Sequence, residues 1–168
     1  MISDGTPVFL VGFMGAGKTE AGSALAVLLG YEFLDLDAMI EKRAGKSIRQ
    51  IFAELGEQEF RRLETEAIGH LNGLKHSVVA LGGGAYQSEE NRALLRAAGL
   101  TVWLDCPFDV CFQRIKNDTS RPLLADEPET KKLFEQRRAA YGLADFVLKT
   151  GALLPEEVAA QLIAKLTA

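Results

Sequence analysis

Residues 12–19 constrain the fold more than any other stretch, because they match the phosphate-binding pattern G-x-x-x-x-G-K-[ST]. The apolar run at 7–11 before them predicts a buried strand, and the leucines at helical spacing in 20–29 predict a helix. In a strand–loop–helix unit, backbone N–H groups and the positive helix end attract an anion. A glycine-rich turn is the alternative, but the pattern arises by chance about one time in a hundred or less. We therefore predict a phosphate site, with Lys18 on the β- and γ-phosphates and Thr19 on Mg²⁺.

Composition predicts one globular domain spanning residues 1–168. Of the 168 residues 48% are hydrophobic and 25% charged, and the net charge is −4. An acidic chain without a long apolar run indicates neither a nucleic-acid nor a membrane partner. The first six residues lack the basic region and apolar core of a signal peptide. Cys106 and Cys111 form no metal-ligand pattern, so we expect reduced thiols, no disulfide and a cytoplasmic location.

Predicted strands and helices alternate along the chain. Strands are expected at 7–11, 32–37, 78–81, 100–104 and 146–148. Helices are expected at 20–29, 38–44, 47–55, 57–74, 88–98, 107–117, 129–141 and from 155 onwards, with a loop at 118–128. This alternation predicts an α/β fold of three layers, α/β/α, around a five-stranded parallel sheet.

The carboxyl ends of the predicted strands carry the polar and glycine-rich segments. Ligands of parallel sheets bind at that edge, so the phosphate loop, Asp35 with Asp37, and the glycines at 82–84 should meet in one crevice. In an extended segment Asp35 and Asp37 point to the same side. One would hold Mg²⁺ through water and the other would accept a proton during phosphoryl transfer. Two surface acids in a loop are the alternative.

Arginines supply candidate anion contacts in three places. Arg61 lies beside a predicted apolar helix face, although a solvated ion pair with Glu64 would explain it equally well. Arg121 lies in the predicted loop, either as part of a closing lid or as an exposed loop residue. Arg137 and Arg138 are adjacent on a helix, so we expect one of them to face a site, where its guanidinium would suit a carboxylate.

Together these motifs resemble the shikimate kinases, a family of the P-loop NTPases in the nucleoside-monophosphate-kinase-like group. The resemblance covers nearly the whole chain. It is carried by the phosphate loop, L-D-L-D at 34–37, G-E-Q-E-F-R-R-L-E at 56–64, L-G-G-G-A at 81–85, R-P-L-L at 121–124, and Arg137 followed four residues later by Tyr141.

The resemblance implies phosphorylation of the 3-hydroxyl of shikimate by ATP, giving shikimate 3-phosphate and ADP in chorismate and aromatic amino-acid biosynthesis. On the nucleotide side it implies phosphate contacts from the loop with Gly15, Ala16, Gly17 and Lys18, and from Arg121 of the lid. Mg²⁺, the implied cofactor, would be held by Thr19 and Asp35. Arg114 and Pro155 would enclose the adenine.

For the acceptor, the resemblance implies that Asp37 binds the hydroxyls and acts as base. Arg61 and Arg137 would bind the carboxylate, Arg137 being favoured over Arg138 by its spacing from Tyr141, and Gly83 would contact shikimate through its backbone. Lys18 and Arg121 would join Asp37 as catalytic groups. Acceptor binding would lie within about 37–64, the lid at about 117–128, and the chain would be a monomer.

Two alternatives remain at this point. Another small-molecule kinase of the same fold, such as a gluconate kinase, would share the phosphate loop, although the F-R-x-x-E segment and the three glycines argue against it. A non-catalytic nucleotide-binding module would be expected to lack Lys18, Asp37 or Arg121, and all three are present.

Overall fold

The computed structural model describes residues 2–118, 121 and 126–168. Its sheet has five parallel strands in the order β2-β3-β1-β4-β5. The strands are β1 (Val8–Val11), β2 (Glu32–Asp35), β3 (Ser77–Ala80), β4 (Leu100–Asp105) and β5 (Phe146–Lys149). The central strand β1 carries the phosphate loop and is completely buried, as expected for a strand that is covered on both faces.

Helices cover both faces of this sheet. They are α1 (Lys18–Leu29), α2 (Leu36–Ala44), α3 (Ile48–Gly69), α4 (Glu89–Ala98), α5 (Phe108–Ile115), α6 (Glu127–Tyr141) and α7 (Pro155–Thr167), with a 3₁₀ turn at Ala85–Gln87. No helix in the described part of the chain is both long and apolar enough to cross a membrane.

Alternation along β1 divides the core into two layers. Val8 and Leu10 point to one face, where they pack with apolar residues of α1 and α7. Phe9 and Val11 point to the other face and pack with residues of α2 to α6. The three-layer α/β/α architecture that the sequence predicts is therefore correct, and the carboxyl end of β1 opens between the two layers.

Several predicted boundaries need correction. The two helices expected at 47–55 and 57–74 together form the span Ile48–Gly69, within which Gly56 turns the chain with φ 86°. The second helix ends at Gly69 and not at position 74. The helix expected from 129 begins at Glu127, since the Asp126 side chain accepts a hydrogen bond from the Glu129 N–H and proline suits a first helical turn. The expected lid at about 117–128 therefore includes two helical residues, and its positions 119, 120 and 122–125 lie outside the described residues.

Candidate active site

The phosphate loop connects β1 to α1 in the conformation that its glycines allow. Gly15 and Gly17 have φ of 78° and 88°, a backbone region that residues with a side chain rarely adopt. A Cβ on Gly15 would also lie 2.6 Å from the carbonyl oxygen of Cys111. The loop thus packs directly against α5, and α1 begins at Lys18 with its N–H groups at the loop.

Lys18 lies within the loop that precedes it. Its Nζ donates to the carbonyl oxygens of Gly12 at 2.6 Å and Phe13 at 3.0 Å. Burial and repulsion from Arg121 lower the pKa of Lys18 to about 8. The amine is therefore a weakly solvated cation, and a phosphate brought close to it would favour its protonated form.

A cavity of about 510 Å³ lies over this loop. Every residue predicted for the nucleotide side lines it, namely Gly15, Ala16, Gly17, Lys18, Thr19, Asp35, Arg114, Arg121 and Pro155. Arg114 donates to the carbonyl oxygen of Gly15 at 2.8 Å, which joins α5 to the loop. The cavity therefore combines a phosphate cradle with Arg114 and Pro155, which are contributed by α5 and α7.

The placement of Asp35 and Asp37 differs from the extended pair that the sequence predicts. Strand β2 ends at Asp35, whose carboxylate caps α2 by accepting from the Ala38 N–H at 3.1 Å. Asp37 lies in the first turn of that helix. The prediction that both aspartates lie in an extended segment is therefore wrong, because α2 begins at Leu36 and not at the expected position 38. Both side chains nevertheless line the crevice.

The Asp37 carboxylate is only partly hydrogen-bonded. Its Oδ1 is buried and has no hydrogen-bond partner among the described residues. Burial, followed by repulsion from Asp35, raises the pKa of Asp37, while attraction to Lys18 opposes the shift. A carboxylate with this environment is suited to accept a hydrogen bond from a ligand hydroxyl and then its proton.

A second cavity of about 580 Å³ adjoins the first. The two share Asp35, Asp37, Gly82, Gly83 and Arg121, so the shared residues lie at the junction of the two spaces. Arg61, Glu64 and Arg137 line the second cavity only. The phosphate loop thus lines one space and Arg61 and Arg137 line the other, and the two spaces share Asp37 and its neighbours.

Arg61 is held at the second cavity by a buried carboxylate. Its Nη1 donates to Glu64 at 2.9 Å, and its Nη2 lies 3.4 Å from the more exposed Glu57. Glu64 is only 1% exposed, and its other oxygen, Oε2, has no hydrogen-bond partner in the described part of the chain. Burial raises the pKa of Glu64, and Arg61 opposes that shift. The ion pair that the sequence suggested as a solvated alternative is therefore present, but it lies against the cavity.

The two adjacent arginines of α6 point in different directions. Arg137 is 6% exposed and lines the second cavity. It lies beside Gly83, because a Cβ added to Gly83 would lie 3.1 Å from the Nη1 atom of Arg137. Arg138 pairs with Asp105 at 2.9 Å and lies over the Trp103 ring, 4.9 Å from its centroid. Of the two, only Arg137 is in position to bind a ligand in the second cavity.

Arg121 lines both cavities, and its Nε donates to Asp118 at 2.8 Å. The rest of the R-P-L-L segment, residues 122–124, lies outside the described residues. Arg121 is thus the described part of the predicted lid that reaches the crevice.

Sequence reasoning missed two residues of this site. It treated Glu64 only as the partner in a surface ion pair, and it used Tyr141 only as a spacing marker. Tyr141 is 1% exposed, and its hydroxyl donates to the Gly83 carbonyl. A carboxylate on the same helix face as Phe60 and Leu63 was the available signal for Glu64. Cys106 and Cys111 are free and buried.

Comparison with known proteins gives a consistent assignment. The family model for shikimate kinase matches residues 14–167. The shikimate kinase of Geobacter sulfurreducens is 48% identical over 163 residues, which is 95% of this chain and 90% of that protein. A shikimate kinase from Acinetobacter baumannii, solved in complex with shikimate, superposes with a TM-score of 0.92 at 37% identity over 96% of this chain and 93% of the other.

A gluconokinase from Sinorhizobium meliloti is a more distant match. The two sequences are 20% identical, and the match covers 96% of this chain and 91% of the gluconokinase chain with a TM-score of 0.60. This likeness shows a shared fold alone. The family model, the sequence relatives and the superposed structure agree with the resemblance found in the motifs. The chain belongs to the shikimate kinase family.

Proposed function

We propose that the chain transfers the γ-phosphoryl group of ATP to the 3-hydroxyl of shikimate, giving shikimate 3-phosphate and ADP, a step towards chorismate and the aromatic amino acids. The observation that carries this proposal is the meeting of the two cavities at Asp37. One cavity contains the phosphate loop and the other contains arginines suited to a carboxylate. A donor and an acceptor bound in these spaces would face each other across the carboxylate.

On the donor side, the loop N–H groups and the start of α1 would bind the phosphates, with Lys18 neutralising the transferring group. Arg114 and Pro155 would enclose the adenine. Arg121 would approach the phosphates from the lid, and closure of this segment would keep water from accepting the phosphoryl group.

Magnesium is the cofactor we propose for this donor. Thr19 and Asp35 would supply oxygens. Asp37, whose buried Oδ1 has no hydrogen-bond partner among the residues that the structure describes, lines the same crevice. No group of three or more His, Cys, Asp or Glu in the described ranges could hold a metal. Mg²⁺ commonly binds through one or two protein oxygens together with waters and substrate phosphates, so this donor set fits it. The ion would neutralise charge on the phosphates.

On the acceptor side, Arg61 and Arg137 would bind the carboxylate of shikimate and Gly83 would contact it through the backbone. Asp37 would accept the proton of the 3-hydroxyl as that oxygen bonds to the γ-phosphorus. The bond from the phosphorus to the oxygen bridging to the β-phosphate breaks, and ADP leaves with that electron pair. The main contribution of the protein is the positioning of two anionic reactants.

We further propose that residues 1–168 act as one kinase domain, monomeric and cytoplasmic. Its acceptor-binding segment would lie at about 37–64 and its lid at about 117–128.

The test is ADP release from Mg·ATP with four acceptors: shikimate, quinate, gluconate and a nucleoside monophosphate. Turnover should be highest with shikimate. The Asp37→Asn variant, assayed in parallel, controls for ATPase activity that does not depend on the site. Activity on gluconate alone would favour the gluconate kinase alternative. No ADP with any acceptor would favour a nucleotide-binding module.

A further inference from the structure

The acceptor cavity is held together by contacts between α6 and the segment that follows β3. Tyr141 and Arg137 lie four residues apart on α6 and therefore share a face. The Tyr141 hydroxyl donates to the carbonyl oxygen of Gly83, and it also lies close enough to Arg137 for the two side chains to interact electrostatically. One buried phenol thus contacts both an arginine and a backbone segment that line the acceptor cavity.

A second contact joins the same two parts of the chain. Gln87 donates from its Nε2 to the backbone carbonyl of Arg137 at 3.2 Å. Gln87 ends the 3₁₀ turn that follows the three glycines, and Arg92 fixes that turn by donating to the carbonyls of Tyr86 at 2.8 Å and Gln87 at 2.9 Å. The backbone of Arg137 is therefore tied to a segment that is itself restrained.

We propose that Tyr141 and Gln87 are positioning residues of the acceptor site, which hold the Arg137 guanidinium and the Gly83 backbone in one geometry. This inference rests on the proposed function, in which Arg137 and Gly83 bind shikimate. Neither residue needs to touch the substrate. Tyr141 does not line the acceptor cavity, and it acts on the ligand only through its two neighbours.

The chemistry of the phenol suits this role. Burial raises the pKa of Tyr141 above its ordinary value, so the hydroxyl stays protonated and can donate to the Gly83 carbonyl at any working pH. Its oxygen remains available as an acceptor for the guanidinium. The Arg137 guanidinium also lies over the Phe13 ring, with its Cζ 5.9 Å from the ring centroid. The glycines have no side chains of their own, and the tyrosine hydroxyl is the side-chain donor that reaches the Gly83 carbonyl.

Tyr141→Phe removes the hydroxyl and keeps the ring in the core. We expect the KM for shikimate to rise roughly tenfold, because a charged group displaced by a fraction of an ångström loses much of its binding. The KM for ATP should stay within about twofold, since the phosphate loop is untouched. Gln87→Met should raise the shikimate KM in the same direction by a smaller factor.

Tyr86→Phe is the matched control. Tyr86 is also fully buried, and its hydroxyl bonds to Thr101 and to the Leu143 carbonyl, both at 3.3 Å, rather than to a residue of the cavity. The Tyr86→Phe variant should lose about as much thermal stability as Tyr141→Phe and should leave the KM for shikimate unchanged. On an Arg137→Lys background, Tyr141→Phe should raise the KM by less than on the wild type, because part of its effect passes through that guanidinium.

An unchanged KM for shikimate in Tyr141→Phe would overturn the proposal. So would a rise in the KM for ATP as large as the rise for shikimate, or a rise in the shikimate KM of Tyr86→Phe as large as that of Tyr141→Phe. If circular dichroism shows that Tyr141→Phe does not fold, the Gln87→Met variant provides the test. An unchanged KM for shikimate in that variant then overturns the proposal. The wild-type protein is measured in the same assay. Absence of shikimate turnover there would refute the proposed function itself, whereas wild-type turnover with unaffected variants refutes only this positioning role.

Discussion

Gly84→Ala is the variant that most directly tests whether Arg61 binds the acceptor. A Cβ at this position would lie 2.6 Å from both Nη1 and Nη2 of Arg61. Ordinary contact begins at 3.4 Å, so the guanidinium would have to move by about 0.8 Å or more. The backbone itself can accept alanine, since Gly84 has φ −99° and ψ −5°. The added methyl group thus acts on the arginine and not on the chain conformation.

This displacement should reduce acceptor binding far more than stability. A misplacement of about 1 Å in a binding group can cost on the order of a hundredfold in rate, so we expect kcat/KM for shikimate to fall roughly 30- to 100-fold. The side chain of Arg61 is 30% exposed and ends in a flexible group, so it can move towards solvent. The free energy of unfolding should change by about 1 kcal/mol or less, which corresponds to roughly 2–4 °C in Tm.

The assay is the initial rate of ADP release with shikimate varied at saturating ATP, together with thermal melting. Gly69→Ala is the matched control, because Gly69 lies at the end of α3 and a Cβ there would meet nothing within 4 Å. Gly83→Ala should have an intermediate effect, since its Cβ would lie 3.1 Å from Arg137. The reasoning fails if Gly84→Ala keeps kcat/KM within threefold of wild type. It also fails if Tm falls by about 8 °C or more, which would mean that the backbone had rearranged.

Four further predictions concern the charged groups of the site. Asp37→Asn should lower kcat by roughly 10²- to 10⁴-fold with ATP affinity measured by calorimetry nearly unchanged, and near-wild-type turnover would contradict a base role. Arg61→Ala should raise the KM for shikimate, and an unchanged KM would exclude Arg61 as a carboxylate ligand. Because only protonated Lys18 attracts phosphate, kcat/KM for ATP should fall as pH rises through the lysine pKa of about 8; a profile flat to pH 9.5 would contradict this. On the acid side the rate should fall at a pH above the ordinary aspartate pKa of 3.8, since burial raises that of Asp37.

The architecture could be predicted from the sequence because each element follows from local patterns. Apolar runs predicted the strands, helical spacing predicted the helices, and the P-loop motif predicted the loop and the cavity at the end of β1. The capping box that begins α3, formed by Ser47 and by Gln50 three residues later, is one such local pattern. These features depend on residues that are close in the chain, so they can be predicted without knowledge of the tertiary fold.

The rest depends on tertiary packing. Whether Arg137 or Arg138 faces the cavity is set by the rotation of α6 about its axis, which Phe134 and Tyr141 determine by packing into the core. An ion pair three residues apart looks the same in sequence whether its acid is exposed or, like Glu64, almost completely buried. Asp37 was assigned to a strand because an aspartate such as Asp35 can either continue a strand or cap a helix. Only the hydrogen bond from the Ala38 N–H to Asp35 distinguishes the two cases.

Two buried carboxylates leave the second cavity with oxygens that a bound ligand could satisfy. Asp37 Oδ1 and Glu64 Oε2 would lie 3.0 and 3.3 Å from a Cβ on Gly82, so both approach the same point of the backbone. Each has an oxygen without a hydrogen-bond partner among the described residues, and each has a raised pKa. Such groups cost free energy in the free enzyme. Arg61 offsets part of that cost at Glu64, and a hydroxyl-bearing ligand would offset more of it at Asp37. The unsatisfied oxygen of Asp37 thus favours a ligand that brings hydrogen-bond donors to it, while the charges of Arg61 and Arg137 favour a carboxylate.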